Sequence, residues 1–111
     1  MGLANIYYPP AGEGGWEDFW FNNFQDHELI QSAVQTQKSI NNPIYPIIPW
    51  RQDNINNILE LHQMFHNDMN DALGLPGQDL SSLDLKDHKS VQDWCFNHFS
   101  EHQAAHQVLN V

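Results

Sequence analysis

The chain has 111 residues and a formal net charge of −10, from 14 acidic and only 4 basic residues. This length suits one domain, and a hydrophobic fraction of 41% favours a folded protein over a disordered one. The acidic balance argues against nucleic-acid binding, the single Cys95 excludes an intrachain disulfide, and the sequence shows neither a signal peptide nor a membrane-spanning stretch. We therefore expect a soluble, intracellular protein.

Residues 1–15 are predicted to form an extended arm. Pro9, Pro10 and four glycines in this segment prevent a long helix. Ile6, Tyr7 and Tyr8 are nevertheless too apolar for a solvated tail. We expect the arm to dock, either on the helices of its own chain or on a neighbouring subunit.

A first helix is predicted over residues 16–38, and a proline-rich connection over residues 39–51. Glu17 and Asp18 suit the positive end of the helix dipole. The prolines of the connection impose an extended path along the bundle. Rigid apolar side chains are favoured at interfaces, so six residues of the arm and the connection are candidate partner contacts. These are Ile6, Tyr7, Tyr8, Tyr45, Ile47 and Trp50.

Two further helices are predicted over residues 52–74 and 90–109, joined by a loop over residues 75–89. Gly74 is a typical residue just after a helix, and Asp87 or Ser90 is expected to cap the last helix. The predicted fold is an all-α three-helix bundle with an extended N-terminal arm and a proline-rich connection.

The second and third helices repeat one pattern at an offset of 36 residues. The repeated positions follow the apolar stripe of an α-helix. The pairs are Ile55 with Val91, Leu59 with Cys95, His62 with His98, His66 with His102, Met69 with Ala105, and Leu73 with Leu109. A third copy lies on the first helix, at Trp16, Trp20, Asn23, His27, Ile30 and Val34.

The repeat places six polar side chains in the predicted core. The first layer would contain Asn23, His62 and His98, and the second would contain His27, His66 and His102. Each buried polar group without a partner costs about 1 to 3 kcal/mol, so these groups must bond one another, water, an anion or a metal. We favour a polar network that fixes helix register. The alternative is a metal site, for zinc or iron.

Other polar and aromatic residues are predicted to have lesser roles. Asp26, Glu60 and Glu101 would reach the histidines only if the helices rotate, His106 lies at the boundary of the stripe, and His88 is placed on the surface. Cys95 is interpreted as a plain buried thiol. The phenylalanines beside the stripe are expected in the core or in subunit contacts; they are Phe21, Phe24, Phe65, Phe96 and Phe99. Catalytic motifs are missing, so we expect no enzymatic activity.

Several motifs resemble small uncharacterised proteins from the structural and morphogenesis gene clusters of tailed bacteriophages. The motifs are Tyr7-Tyr8-Pro9-Pro10-Ala11-Gly12, Trp16-Glu17-Asp18-Phe19, the run from His62 to Gly74, Asp79-Leu80, Trp94, and Glu101-His102. The resemblance covers nearly the whole chain. It implies a virion or assembly component, present in several copies and bound to capsid, connector, tail or fibre proteins.

The chain resembles hemerythrin more weakly, through a similar length and through Trp16 and His27 on the predicted first helix. The chain departs from that family because His66, rather than a glutamate, follows His62 by four residues, and because only three long helices are predicted. No ligand is therefore transferred from hemerythrin.

The expected function is a non-enzymatic structural or adaptor component of a phage virion, made in the host cytoplasm and acting through protein–protein contacts. Its expected partners are other virion proteins or further copies of the chain, with no nucleic acid, membrane or cofactor. The alternatives are a histidine-rich helical protein that binds zinc or iron, and a phage assembly chaperone.

Overall fold

A computed structural model describes residues 15–38 and 51–111, which form three helices that all pack against one another. The helices are α1 (Gly15–Lys38), α2 (Ile55–Leu73) and α3 (His88–Leu109), and a short 3-10 turn, Gln52–Asn54, precedes α2. The prediction of an all-α three-helix bundle is confirmed. Gly15, the last residue of the predicted arm, is the first residue of α1. The rest of the arm and nearly all of the proline-rich connection lie outside the described residues. The six candidate partner contacts, Ile6, Tyr7, Tyr8, Tyr45, Ile47 and Trp50, therefore lie outside them as well.

The helix ends follow from their capping residues. Gly74 has a φ of 67° after α2, and Asn110 has a φ of 58° after α3, so both helices end in a left-handed residue. Asp87 caps α3, since its side chain accepts a hydrogen bond from the backbone N–H of Lys89 at 3.1 Å. The helix consequently begins at His88, two residues before the predicted start. Among the described helices, none is long and apolar enough to span a membrane.

Two apolar clusters show that the three helices point in the same direction. The first cluster joins the beginnings of the helices and contains Phe19, Trp20, Ile58, Leu59, Leu80, Val91, Trp94 and Cys95. The second joins their later turns and contains Phe24, Ile30, Val34, Phe65, Met69, Ala105 and Leu109. Equivalent positions of the sequence repeat thus lie at the same level of the bundle.

The segment between α2 and α3 must return along the bundle because these helices are parallel. The backbone N–H of Gln78 donates to Glu101 Oε2 at 3.0 Å, halfway along α3. Farther along, the Trp94 indole N–H donates to the backbone carbonyl of Leu80 at 2.9 Å. The Leu80 side chain is fully buried in the first cluster. The return segment is therefore an integral part of the core.

Candidate metal centre

Five histidine side chains lie between the two apolar clusters. One comes from α1, two from α2 and two from α3, and each is at most 1% exposed. Both pairs have i, i+4 spacing, which places their rings on the same face of a helix. The five are His27, His62, His66, His98 and His102.

Their Nε2 atoms converge on one point. The Nε2 atom of His27 lies 2.9 Å from that of His62, 3.1 Å from His66, 3.4 Å from His98 and 3.1 Å from His102. Across α2 and α3, the Nε2 atoms of His62 and His98 are 3.0 Å apart, and those of His66 and His102 are 3.2 Å apart. The two predicted layers therefore merge into one cluster. The His27 Nε2 atom lies close to the Nε2 atoms of all four other histidines, like the apex of a pyramid above its base.

The outer ring nitrogens decide where three of the hydrogens lie. The Nδ1 atom of His27 is 2.5 Å from a backbone carbonyl oxygen one turn earlier in α1. The Nδ1 atom of His66 is 3.1 Å from Glu101 Oε1, and that of His102 is 2.8 Å from Asp26 Oδ2. Carbonyl and carboxylate oxygens only accept, so these three rings carry their hydrogen on Nδ1. Their inward-facing Nε2 atoms then carry a lone pair and can only accept a hydrogen bond.

Three acceptor nitrogens face one another at close range. The Nε2 atoms of His27, His66 and His102 are separated by 3.1, 3.1 and 3.2 Å. Two acceptors without a hydrogen between them cannot form a hydrogen bond. Neutral rings therefore form no hydrogen bond among these three atoms, although an Nε2–H group of His62 can still donate to His27 Nε2 at 2.9 Å. A proton or a cation is a partner that all three nitrogens can share.

Burial disfavours the proton. Desolvation lowers the pKa of His27, His62, His98 and His102 well below the usual imidazole value of 6.5, and the neighbouring imidazoles lower it further. Burial also lowers the pKa of His66, in spite of the carboxylate beside it. All five rings are therefore neutral near pH 7, which is the protonation state that binds a metal ion.

Glu101 anchors His66 from outside the nitrogen cluster. Its side chain is 4% exposed and also accepts hydrogen bonds from Asn70 Nδ2 at 2.7 Å and from the backbone N–H of Gln78 at 3.0 Å. Burial alone would raise the pKa of Glu101, but the hydrogen bonds from these three donors lower it overall. Glu101 is consequently an ionised carboxylate that holds the His66 ring in place.

Asp26 has the same role for His102. It is 7% exposed, and its Oδ1 atom lies 2.8 Å from the Nε2 atom of His106, which is itself partly buried. The expectation that Asp26 and Glu101 reach the histidines only after helix rotation is therefore wrong. Glu60, the third residue of that prediction, is exposed. His106 lies at the boundary of the bundle and belongs to the site through Asp26.

The sequence contained a signal for both carboxylates. Asp26 directly precedes His27, and Glu101 directly precedes His102, at equivalent positions of the repeat. A residue that precedes a histidine of the apolar stripe lies about 100° away from it around the helix. Each carboxylate therefore reaches the outer nitrogen of a histidine on another helix. The contacts between Asp26 and His102 and between Glu101 and His66 cross helices in this way.

The remaining predicted site residues have different surroundings. Asn23 is 1% exposed, and its amide donates to the backbone carbonyl of Phe19 at 2.6 Å, within its own helix. Cys95 is buried, which raises the pKa of its thiol to about 12 and makes a reactive thiolate unfavourable. His88 is exposed at the start of α3.

The arrangement can hold a metal ion, since one nitrogen from each of the five histidines lies within 4.8 Å of every other. Comparison with family models, with curated proteins and with solved structures found no match to the chain.

Proposed function

We propose that the protein binds one divalent transition-metal ion through the Nε2 atoms of its five buried histidines. The observation that carries this proposal is the convergence of five buried imidazole nitrogens, among which the Nε2 atoms of His27, His66 and His102 are acceptors within 3.2 Å of one another. A cation is the partner that three acceptors can share. The neutral state of the rings removes protons as competitors for the same site.

The spacing of the nitrogens supports a single ion. Ligand nitrogens about 2.1 Å from a metal are about 3.0 Å apart at a right angle and about 3.4 Å apart at a tetrahedral angle. The contacts made by the His27 Nε2 atom, between 2.9 and 3.4 Å, fall in this range. The widest separation in the cluster, up to 4.8 Å, exceeds the roughly 4.2 Å between ligands on opposite sides of an ion, so binding would draw the outermost rings slightly inward. Two ions would each need their own set of ligands, which five converging atoms do not provide.

The ligand set narrows the choice of ion. Imidazole nitrogen suits zinc, iron, copper and nickel, whereas thiolate or carboxylate ligands would favour other ions. Five nitrogen ligands exceed the four that structural zinc sites usually have. Iron(II), or another ion that accepts more than four ligands, therefore fits the centre better than zinc does.

The proposed role of the ion is structural. It would join α1, α2 and α3 at mid-height, between two apolar clusters. Binding to an arrangement that exists only in the folded chain contributes directly to stability. An ion held at one hundred times its dissociation constant would add about 2.7 kcal/mol. This role agrees with our expectation that the protein is not an enzyme.

The test is elemental analysis of the purified full-length protein, followed by chelation. We expect about one transition-metal ion per chain, and a lower melting temperature after removal of the ion by a strong chelator. Replacement of His27 by alanine should weaken binding at least tenfold, whereas the same change at exposed His88 should leave it intact. A wild-type protein that neither contains nor takes up a stoichiometric ion, and that gains no stability from added metal, would refute the proposal.

Exposed aromatic residues favour a second, compatible role. Phe21 on α1 is 63% exposed, and Phe96 on α3 is 69% exposed, at equivalent positions of the sequence repeat. Aromatic side chains are enriched at protein–protein contacts. Together with the phage resemblance, they support our proposal of a virion component that contacts other virion proteins or further copies of the chain. Replacing both phenylalanines by serine should weaken assembly and leave helix content unchanged.

Mass spectrometry of purified virions would separate this role from that of an assembly chaperone. A virion component remains in the mature particle, whereas a chaperone is absent from it. Normal particle assembly with the doubly substituted chain would contradict the contact role of Phe21 and Phe96.

A further inference from the structure

The return segment, residues 75–87, is held to the bundle by few contacts. It contains no helix or strand, and Leu80 is its one buried side chain. Gln63 on α2 binds it twice, since the amide nitrogen donates to the Gln78 carbonyl at 3.3 Å and the amide oxygen accepts from the Leu80 N–H at 2.5 Å. The Trp94 indole N–H donates to the Leu80 carbonyl at 2.9 Å. A segment with so little buried apolar surface opens at a lower free-energy cost than packed helices do.

This segment is connected to a proposed metal ligand through one side chain. Glu101 Oε2 accepts from the backbone N–H of Gln78 at 3.0 Å, and Glu101 Oε1 lies 3.1 Å from the Nδ1 atom of His66. Gly77 approaches so closely that a Cβ atom there would lie 3.1 Å from Asn70 Nδ2, which itself donates to Glu101 Oε1. Detachment of the segment would therefore expose Glu101 to water and weaken its hold on the His66 ring.

Exchange of an ion requires some opening of the bundle, because each of the five histidine side chains is at most 1% exposed. Separation of the helices would disrupt one or both of the apolar clusters on either side of the site. Release of the return segment breaks four hydrogen bonds and uncovers one leucine. Among the described residues, it is therefore the less costly opening beside a ligand.

We infer that the return segment is a gate whose detachment from α2 and α3 sets the rate at which the ion enters and leaves. This inference rests on the proposed function. With the gate open, Glu101 no longer fixes the His66 ring, so His66 is the ligand that leaves the ion first. The bonds from Gln63 and Trp94 hold the gate shut in the empty and the loaded protein alike. Weakening them should therefore accelerate binding and release together.

Replacement of Gln63 by alanine tests the gate. It removes both hydrogen bonds from α2 to the segment and leaves the five histidines in place. Full-length protein loaded with Co²⁺ would be mixed with EDTA at concentrations that no longer affect the rate, and loss of visible absorption gives the release rate. Stopped-flow mixing of metal-free protein with Co²⁺ gives the association rate. Gln103→Ala is the matched control, since Gln103 is an exposed glutamine on α3.

We expect Gln63→Ala to raise both rate constants by about fivefold or more, because two hydrogen bonds that close the gate are lost. The dissociation constant should then stay within about twofold of the wild-type value, and Gln103→Ala should match the wild type in both rates. A smaller acceleration of release would overturn the inference. Faster release with an unchanged association rate would overturn it as well, because that result indicates a weakened site and not a gate.

Hydrogen exchange of the wild-type protein provides a second measurement, which needs no variant. Once the ion is bound, opening the gate also costs a coordination bond, so Co²⁺ should slow amide exchange of residues 77–82 by about tenfold or more. These amides should still exchange faster than those in the middle of α2. A smaller effect of Co²⁺, or protection equal to that of α2, would overturn the inference. Failure of the proposed function looks different, because the wild-type protein would then show no stoichiometric Co²⁺ absorption.

Discussion

Acidification of the metal-free protein should remove most of its stability between pH 7 and about pH 5.5. The five buried histidines have pKa values below the unfolded value of 6.5, chiefly through burial. Below pH 6.5 the unfolded chain therefore binds more protons than the folded one, and stability falls with pH. While a ring stays neutral in the fold, the free energy of unfolding falls by about 1.2 kcal/mol for that ring over this interval. The four rings whose pKa lies well below the unfolded value give about 5 kcal/mol, which is comparable to the total stability of a small domain. His66, whose pKa is lowered less because Glu101 opposes the effect of burial, adds a smaller loss.

Chemical denaturation followed by circular dichroism at a series of pH values measures this loss. Near pH 5.5 the slope of the unfolding free energy against pH should approach one proton for each of the four rings with a strongly lowered pKa. Carboxylates contribute little, because unfolded carboxyl groups titrate near pH 4 and the pKa of Glu101 is lowered in the fold, mainly by its hydrogen-bond donors acting against burial. Metal-loaded protein should be more stable at each pH but show a similar slope, because its folded rings bind no protons either. His88→Ala should retain the wild-type profile. An unfolding midpoint that is equal at pH 7 and pH 5.5 would show that the rings are solvated.

Three further predictions concern single side chains. His27→Ala should weaken Co²⁺ binding at least tenfold, as followed by visible absorption. The reason is that His27 Nε2 lies close to the Nε2 atoms of all four other histidines. Binding equal to that of the wild type would argue against His27 as a ligand. Leu80→Ala should lower the free energy of unfolding by about 2 to 4 kcal/mol in denaturant, since the side chain is fully buried in the first cluster. A loss below about 1 kcal/mol would mean that the segment between α2 and α3 packs loosely. Gly74→Ala should cost about 1 kcal/mol by the same measurement, because alanine is strained at a φ of 67°. The added methyl group itself meets no atom within 4 Å. Gly74→Asn should cost less, because asparagine tolerates this backbone conformation better.

Much of the architecture could be predicted because helical periodicity is a local property of the sequence. The stripe from Ile55 to Leu73 and the glycine after it mark α2, and Asp87 and Asn110 mark the two ends of α3. The repeat also indicates that His62 and His98 occupy equivalent positions, because the same stripe surrounds both. These features depend on neighbours within one or two turns, so no tertiary information is needed.

The geometry of the centre could not be predicted, because it depends on how far the side chains reach between helices. The stripe assigned His27 and His62 to separate layers, yet their Nε2 atoms are 2.9 Å apart. The position of Asp26 on α1 lies beside the apolar stripe, which suggested that its side chain points away from the histidines. From the edge of the stripe its carboxylate nevertheless reaches the Nδ1 atom of His102 on α3. Helix direction was also undetermined, because the repeat is symmetric about its middle. Only the contacts in the two apolar clusters fix it.

The common direction of the three helices has a consequence for how quickly the chain can fold. Antiparallel neighbours close their first contacts across a short turn, but here the meeting residues are far apart in sequence. The separation is 35 residues between His27 and His62, 36 between His62 and His98, and 75 between His27 and His102. Such long loops must be closed before any helix gains a neighbour, which gives a high contact order and slow folding for an all-helical domain.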